Sequence, residues 1–247
     1  MNRILLALAL VLGASPAFAA DPTGPEVLAK MDHALNCFKD GTFDAKLLVK
    51  QADGSAREYG FTTFQKGDKR LVRFNSPGDV KRMGVLIENA TTMYVFLPGF
   101  QRVRRMGGHV KNQTFMGSDF ASDEMAATSF APAYDAKLVG QDEKNWILEL
   151  TAKAGQDLEF PKLKIWADKT FFQPTKIEDY DKDGKKLKTQ ERSEYKKDSP
   201  EHWQPFHIVM TDHRRGDHKS EIVFTGTKID TGIADEVFSV RSLVRGN

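Results

Sequence analysis

The sequence is poor in cysteine and in long apolar runs, and each shortage excludes a class of protein. Cys37 is the only cysteine among 247 residues, so no internal disulfide can form. It has no lipobox around it, and we expect a buried helix cysteine rather than a lipid anchor. Beyond the N-terminus, no stretch approaches the roughly 20 apolar residues of a transmembrane helix. The 36 basic and 34 acidic residues nearly cancel, which argues against nucleic acid as the main partner.

The motifs of common enzyme classes are also missing. The sequence has no Gly-x-Ser-x-Gly elbow, no His-Glu-x-x-His, no phosphate-binding Gly-x-x-x-x-Gly-Lys and no Cys-x-x-Cys. Six histidines are scattered, and a pair such as His207 and His213 has neither the spacing nor the third ligand of a zinc site. We therefore expect no catalytic residue, no cofactor and no metal.

One stretch imitates a calcium loop. Asp179, Asp181, Asp183 and Gly184 have the spacing of an EF-hand loop, but Gln190 stands where a bidentate Glu is required. The flanking residues alternate as strands do, so a hairpin turn at Asp183-Gly184 is the favoured interpretation.

The N-terminus has the pattern of a secretory signal peptide. Arg3 supplies the positive charge, Ile4 to Leu12 the apolar run, and Ala17 to Ala19 a small-x-small cleavage site. We predict a signal peptide at residues 1–19 and one exported domain at residues 20–247; a retained N-terminal anchor is the alternative.

The exported domain begins with a helix and continues as strands. Thr23 and Glu26 have capping-box spacing, Val27 to Phe38 carry a helical apolar stripe, and Gly41 ends the helix. Short apolar segments with Gly, Pro and Asp between them then indicate an all-β sandwich or barrel in one domain. The predicted strands are Phe43–Gln51, Ala56–Gln65, Asp68–Asn75, Met83–Asn89, Thr91–Pro98, Phe100–Met106, Tyr134–Gly140, Asn145–Lys153, Pro161–Ala167, Phe172–Tyr180, Lys185–Tyr195, Pro205–His213 and Lys219–Lys228. Asp235 to Leu243 reads as a turn and a short tail.

A long connection, Gly107 to Phe130, interrupts the strands. It contains a short helix-prone run, Asp119 to Ser129. Connections of this length in compact domains are commonly lids or binding loops.

The apolar pattern leaves a packed core and a ligand cavity both open. Thr92 to Leu97 is apolar on both faces, so this strand must be covered on both sides. The 17 phenylalanines and 8 methionines suit a pliable apolar interior. Between Ala90 and Ser118 there is no carboxylate, and Arg102, Arg104 and Arg105 form a basic patch there. This patch suits lipid phosphates or an acidic partner, or is a solvated sheet face.

Four segments of the sequence together resemble a known protein family. In their order and spacing, Ser76–Gly84, Thr92–Pro98, Arg102–Met106 and Phe115–Phe120 resemble the outer-membrane lipoprotein-sorting-like family, LolA-like in fold. The resemblance extends over roughly Val27 to Arg241. After Phe120 the family pattern Ser-Tyr-Glu-Asp-Leu is replaced here by Ala-Ser-Asp-Glu-Met, so lid geometry or cargo specificity is expected to differ.

The resemblance implies a mainly β fold: an unclosed, strongly curved antiparallel sheet, or half-barrel. An N-terminal helix and a short helical lid plug its concave apolar face. It also implies a non-enzymatic periplasmic carrier of lipid or lipoprotein acyl chains, working with an inner-membrane resistance-nodulation-type exporter and an outer-membrane acceptor. The implied cavity residues are Phe61, Phe74, Leu86, Tyr94, Phe96, Trp146, Leu148, Leu150, Phe206 and Ile208; the lid motif is Phe115, Met116, Gly117, Ser118, Asp119 and Phe120; the headgroup or partner patch is Arg102, Arg104 and Arg105.

Two other classes stay open. A periplasmic sensor of lipoprotein state that binds a protein partner has a related fold, usually with an extra C-terminal domain. An enzyme of lipid or glycan modification requires a constellation of acid, base or metal ligands that the sequence does not display.

Overall fold

The computed structural model describes residues 21–50, 54–89, 92–106, 114–121, 129–156 and 158–245. The predicted signal peptide, residues 1–19, lies outside these ranges. So do residues 122–128, which make up most of the predicted lid helix.

Helix α1, Gly24–Asn36, begins with the predicted capping box. The Thr23 hydroxyl accepts from the Glu26 backbone N–H, and the Glu26 carboxylate accepts from the Thr23 backbone N–H at 2.7 Å. Two N–H groups that a helix start leaves unpaired are thereby satisfied. The apolar stripe buries Val27, Leu28 and Met31 against the sheet.

Within the described residues, thirteen strands form one antiparallel sheet, and each matches a predicted strand. Its order is β6-β5-β4-β3-β2-β1-β13-β12-β11-β10-β9-β8-β7. β6 and β7 are its two edges, so the sheet does not close. This unclosed curved sheet confirms the predicted fold class. The strands are β1 Gly41–Lys50, β2 Ala56–Lys66, β3 Lys69–Ser76, β4 Gly84–Asn89, β5 Thr92–Leu97, β6 Arg102–Met106, β7 Tyr134–Gln141, β8 Asn145–Ala152, β9 Lys162–Asp168, β10 Pro174–Tyr180, β11 Lys186–Lys197, β12 Trp203–Asp212 and β13 His218–Ile229.

The inner face of the sheet, which carries α1, holds two apolar clusters. The helix-side cluster joins α1 to β7–β11, and its most buried members are Val27, Met31, Leu148, Leu150 and Ile165. Gly24 lets the helix approach β7 closely, because a Cβ there would lie 2.6 Å from the Leu138 backbone nitrogen. This half of the inner face is therefore closed by a helix packed directly on the strands.

The segment-side cluster fills the other half of the inner face. It spans β1–β5, β12 and β13, and residues from the connection after β6 cover it. Its buried members are Ala45, Leu47, Val49, Tyr59, Phe61, Val72, Phe74, Met83, Val85, Ile87, Met93, Phe115, Phe120, Ile208, Met210 and Ile222.

An outer cluster lies on the opposite face of β3–β5. It consists of Leu71, Leu86, Phe96, Phe238 and Leu243. The last two belong to a 3-10 helix, Asp235–Phe238, and to helix α2, Val240–Arg245. The prediction of a mere turn and tail here was wrong, since this segment covers the second apolar face of β4 and β5. That cover is what the two-faced pattern of Thr92 to Leu97 required.

Two local predictions are also corrected. Cys37 lies at the C-cap of α1 and is half-buried, because the helix ends at Asn36, two residues before the end of the predicted stripe at Phe38. Asp119, Phe120 and Ala121, the first residues of the predicted lid helix, are not helical, and Ala121 forms an isolated β-bridge with Thr114. No helix among the described residues is long and apolar enough to span a bilayer.

Candidate functional site

The cover segment, residues 114–121, closes the segment-side cluster. Phe115 and Phe120 are its buried anchors, and the Phe115 ring lies 5.5 Å from the Phe74 ring centroid. The Phe115 backbone N–H donates to the Phe120 carbonyl at 2.7 Å. Met116 and Gly117 both have positive φ, 56° and 75°. The left-handed pair reverses the chain so that both phenylalanines point into the sheet.

Asp119 fastens the cover segment to β13 and the turn before it. The carboxylate is fully buried and accepts from Ser220 Oγ at 2.6 Å, Arg215 Nη1 at 2.7 Å and His218 Nδ1 at 2.7 Å. His218 Nε2 faces the Lys50 carbonyl at 2.9 Å. A carboxylate and a carbonyl only accept hydrogen bonds, so this geometry fits the doubly protonated imidazole. The buried charge is thereby paired rather than isolated.

Asp32 on α1 holds the far end of the same connection. Its carboxylate accepts from the Phe130 backbone N–H at 2.9 Å and the Ala131 backbone N–H at 2.8 Å. Burial raises the pKa of Asp32, and these two bonds lower it in part. The connection between β6 and β7 is thus tied down by one carboxylate at each end of residues 122–128, which lie outside the described ranges.

The structure distributes the predicted cavity residues over three clusters. Phe61, Phe74 and Ile208 belong to the segment-side cluster, and Trp146, Leu148 and Leu150 to the helix-side cluster. Phe206 is half-buried on β12, with Lys196 Nζ 3.9 Å from its ring centroid. Leu86, Tyr94 and Phe96 pack in or against the outer cluster instead. On the same two strands, the inner face is occupied by Val85, Ile87, Met93, Val95 and Leu97.

The predicted basic patch is divided between the two faces of edge strand β6. Arg102 and Arg104 pair with Leu97 and Val95 and share their inner face, whereas Arg105 pairs with Tyr94 on the outer face. Arg102 and Arg104 therefore stand at the rim of the segment-side cluster, exposed to solvent.

Two further arginines stand on the inner face: Arg70, which belongs to the basic residues near the predicted patch in sequence, and Arg192, which no sequence pattern indicated. Arg70 on β3 and Arg192 on β11 are half-buried, and the Nε of each donates to a glutamine, Gln65 at 3.1 Å and Gln190 at 2.6 Å. Arg70 stands two positions from Val72, so strand alternation was a signal that could have placed it on the inner face.

A hydroxyl–imidazole–carboxylate chain lies on the outer face. His213 Nε2 is 2.8 Å from Thr189 Oγ1, and His213 Nδ1 is 2.5 Å from Asp217 Oδ1. No sequence motif announced it, because its members come from β11 and from the turn between β12 and β13. His207 pairs with Glu221 instead, so the two histidines considered for zinc do not meet. In the described part of the chain, no group of three His, Cys, Asp or Glu side chains is placed to hold a metal.

The imitation calcium loop is a tight turn between β10 and β11. The Asp181 carboxylate accepts from the backbone N–H groups of Asp183 at 3.0 Å and Lys185 at 2.8 Å. Gly184 has φ +81°. These local bonds account for the aspartate spacing, as a hairpin turn predicts.

A family model described as "-like: Uncharacterized protein" matches residues 66–245. This chain belongs to that family. The matched range takes in β3–β13 and the cover segment, and so includes Asp119 and the residues that donate to its carboxylate. No curated protein shows significant similarity to the chain.

The fold of this chain is similar to that of several solved structures, some of them LolA-like. A DUF1329 family protein from Desulfovibrio piger superposes with a TM-score of 0.80 at 24% identity, covering 88% of this chain and 96% of that one. A putative outer membrane lipoprotein-sorting protein domain from Vibrio parahaemolyticus gives 0.79 at 24%, covering 90% and 98%. A LolA superfamily protein from Nitrosomonas europaea gives 0.74 at 20%, covering 90% and 100%. These neighbours confirm the predicted LolA-like resemblance in fold.

Proposed function

We propose that this protein is a non-enzymatic periplasmic carrier that shields the acyl chains of a lipid or lipoprotein on the inner face of its sheet. One observation carries the proposal: the segment-side cluster is closed by an eight-residue segment, held by two phenylalanines and one buried carboxylate. A plug of that size can be displaced without unfolding the sheet, whose strands are hydrogen-bonded independently of it.

The energetics fit a carrier. Each buried methylene contributes about 0.8 kcal/mol, so an acyl chain strongly favours an apolar face over water. The carrier must nevertheless release it, and a displaceable cover provides both states. Apparent affinity is then limited by the fraction of molecules whose cover is open.

The rim arginines, Arg102 and Arg104, have a separate role in this proposal. They are exposed at the edge of the inner face and suit docking to an acidic partner surface. The expected partners are an inner-membrane resistance-nodulation-type exporter, which would supply the cargo, and an outer-membrane acceptor. The names of two structural neighbours, a lipoprotein-sorting protein domain and a LolA superfamily protein, support the proposal of a carrier.

Two adjacent residues of β5 give a matched test. Val95 packs on the inner, segment-side cluster and Tyr94 on the outer cluster, and both are half-buried. We expect Val95→Glu to lower the affinity for a fluorescent acyl probe at least tenfold, while Tyr94→Glu leaves it within twofold. Circular dichroism confirms that both variants fold.

Native mass spectrometry of the protein purified from its own periplasm completes the test. A lipid adduct on the unaltered protein, lost in Val95→Glu, supports the carrier. An apo mass that does not shift with lipids or lipopeptides contradicts it and favours the sensor that binds a protein partner.

A further inference from the structure

Arg192 is a cation on the inner face whose Nη edge donates no hydrogen bond to any residue that the structure describes. Its Nε donates to Gln190 Oε1 at 2.6 Å. Within the described ranges of the chain, no carboxylate or carbonyl accepts from its Nη1 or Nη2. Half-buried guanidinium groups are ordinarily paired. The charges of Asp179 and Tyr195 act on this guanidinium, but among the described residues its forked Nη edge has no hydrogen-bond acceptor and is free to meet a ligand.

The floor beside Arg192 is apolar. Arg192 pairs across the strands with Ile208, and Ile208 pairs with Ile222. Phe206 stands two positions along β12 from Ile208 and so shares its face, with Lys196 Nζ over its ring. An acyl chain lying over Phe206 and Ile208 would bring the group at its end to the Nη edge of Arg192.

Arg70 adds a second positive charge to the same space. Its Nε is held by Gln65 at 3.1 Å. Burial lowers the pKa of Arg70 to about 10, and the charge of Arg192 contributes to the lowering. Both guanidinium groups, from β3 and β11, stand on the inner face by strand register, near enough for their charges to interact. Like charges in partly apolar surroundings repel, and an anion between them would relieve that repulsion.

We propose that Arg192, with the charge of Arg70, binds the anionic group of an acyl ligand, a carboxylate or a phosphate, inside the sheet's concavity. This inference rests on the proposed carrier function and deepens it by naming the ligand class: lipids whose head is a single anionic group, such as a fatty acid or a lipid phosphate. Arginine suits the task because its fork matches two oxygens of a carboxylate or phosphate. The rim arginines play no part in this site.

The test compares one acyl chain with and without its charge. cis-Parinaric acid and its methyl ester, both fluorescent, are titrated into the mature full-length protein. We expect the unaltered protein to bind the acid at least about tenfold more tightly, the worth of one charge-assisted hydrogen bond. Arg192→Gln should lose that preference by weakening the acid alone. Arg192→Lys should keep part of it, because the charge remains without the fork.

Arg241→Gln is the matched control. Arg241 is exposed on α2, on the outer face, and its removal should leave the preference for the acid unchanged. Equal affinity of the unaltered protein for acid and ester would overturn this inference and leave the carrier function standing. A parallel loss of both ligands in Arg192→Gln would overturn it too. Failure of both ligands to bind the unaltered protein would instead refute the carrier function.

Inorganic phosphate distinguishes a lipid head from a free anion. If phosphate alone displaces the acid at submillimolar concentration, the site is a simple anion site and the lipid assignment is wrong. If phosphate displaces the acid only at concentrations high enough to screen all charges by ionic strength, the site is one for an anion attached to an acyl chain.

Discussion

The two halves of the inner face are closed by different means. On the helix-side half, α1 packs on β7 through an apolar stripe, with no room for a side chain at position 24. On the segment-side half, residues 114–121 are held by two aromatic rings and by the polar bonds of one carboxylate. Apolar packing over a whole helix opens only with global unfolding, whereas a short segment opens locally. If the protein is the carrier proposed above, we expect stability to be concentrated in the helix-side half and ligand access in the segment-side half.

Leu148→Ala should have the largest effect on global stability. Leu148 is fully buried in the helix-side cluster, and truncation of such a leucine costs about 4 kcal/mol through lost burial and a residual cavity. Urea unfolding should show a lower midpoint, with acyl-probe affinity of the folded protein unchanged. The control is Val139→Ala on β7, where the side chain is exposed; its free energy of unfolding should change by less than about 0.5 kcal/mol. A Leu148→Ala variant that loses probe binding while still folded would refute the division of roles.

Asp119→Ala should act on the segment-side half instead. Removing one partner of a buried ion pair costs about 3 kcal/mol here, the low end of the usual range, because Arg215 can turn to water. Hydrogen exchange of the Phe115, Ser118 and Phe120 amides should accelerate by about a hundredfold, with the strand amides nearly unaffected.

The control for Asp119 is Asp235→Ala, which removes a surface partner of Lys66. It should leave exchange in the cover segment unchanged. If Asp119→Ala instead accelerates exchange throughout the sheet, the cover segment is part of the global core and is not a local lid.

Sequence patterns predicted the strands better than they predicted the faces. The alternation in Thr92 to Leu97 correctly required cover on both sides, but it did not say which side is inner. Val85, Leu86 and Ile87 are all apolar and buried, so these three residues do not distinguish the inner from the outer face of β4. The assignment of Leu86, Tyr94 and Phe96 to the inner face failed for this reason. Only the register with β3 and the position of α2 decide it.

The polar contacts of the site were beyond sequence reasoning for a different cause. Asp119 lies 99 positions from His218 and 101 from Ser220. Such contacts exist only after the sheet has brought β13 next to the cover segment. The capping box at Thr23, by contrast, spans three residues and was predicted correctly. Contacts between residues close in sequence can be predicted from the sequence, whereas the contacts of this site join residues about 100 positions apart.

The two halves of the sheet also differ on their outer faces, and the pH dependence of stability can measure this difference. Outside β3–β5 the sheet is covered by α2, while outside β9–β11 it carries charges. There, burial raises the pKa of Glu178, but hydrogen bonds from Lys176 and Tyr180, and the charges of Lys176 and Lys186, outweigh it and lower this pKa to about 2. A carboxyl whose pKa is lower in the folded than in the unfolded state stabilises the fold at any pH above its ordinary pKa of 4.5. That contribution to stability is lost as the pH falls from about 4.5 towards 2.

Glu178→Gln should therefore reduce stability by about 2 kcal/mol at pH 7, a figure discounted for partial solvation. It should flatten the fall in stability between pH 5 and pH 3 by a similar amount. Urea unfolding at several pH values measures both effects. Glu191→Gln, on an exposed position of β11, is the control. A full-strength acid dependence in Glu178→Gln would show that other carboxyls carry it.

Thr23→Ala should have the smallest effect, and it asks whether α1 is held by its cap or by its packing. The N-cap hydroxyl and the reciprocal Glu26 bond are exposed at the start of the helix, and replacement of such a residue costs about 1 kcal/mol. Because the apolar stripe of α1 remains, the variant should unfold in one transition with unchanged probe binding. Thr23→Ser, which keeps the hydroxyl, should recover most of the loss. If Thr23→Ala instead frays α1 enough to raise acyl-probe affinity, the helix would be a second movable cover, and the contrast between the halves would be one of degree.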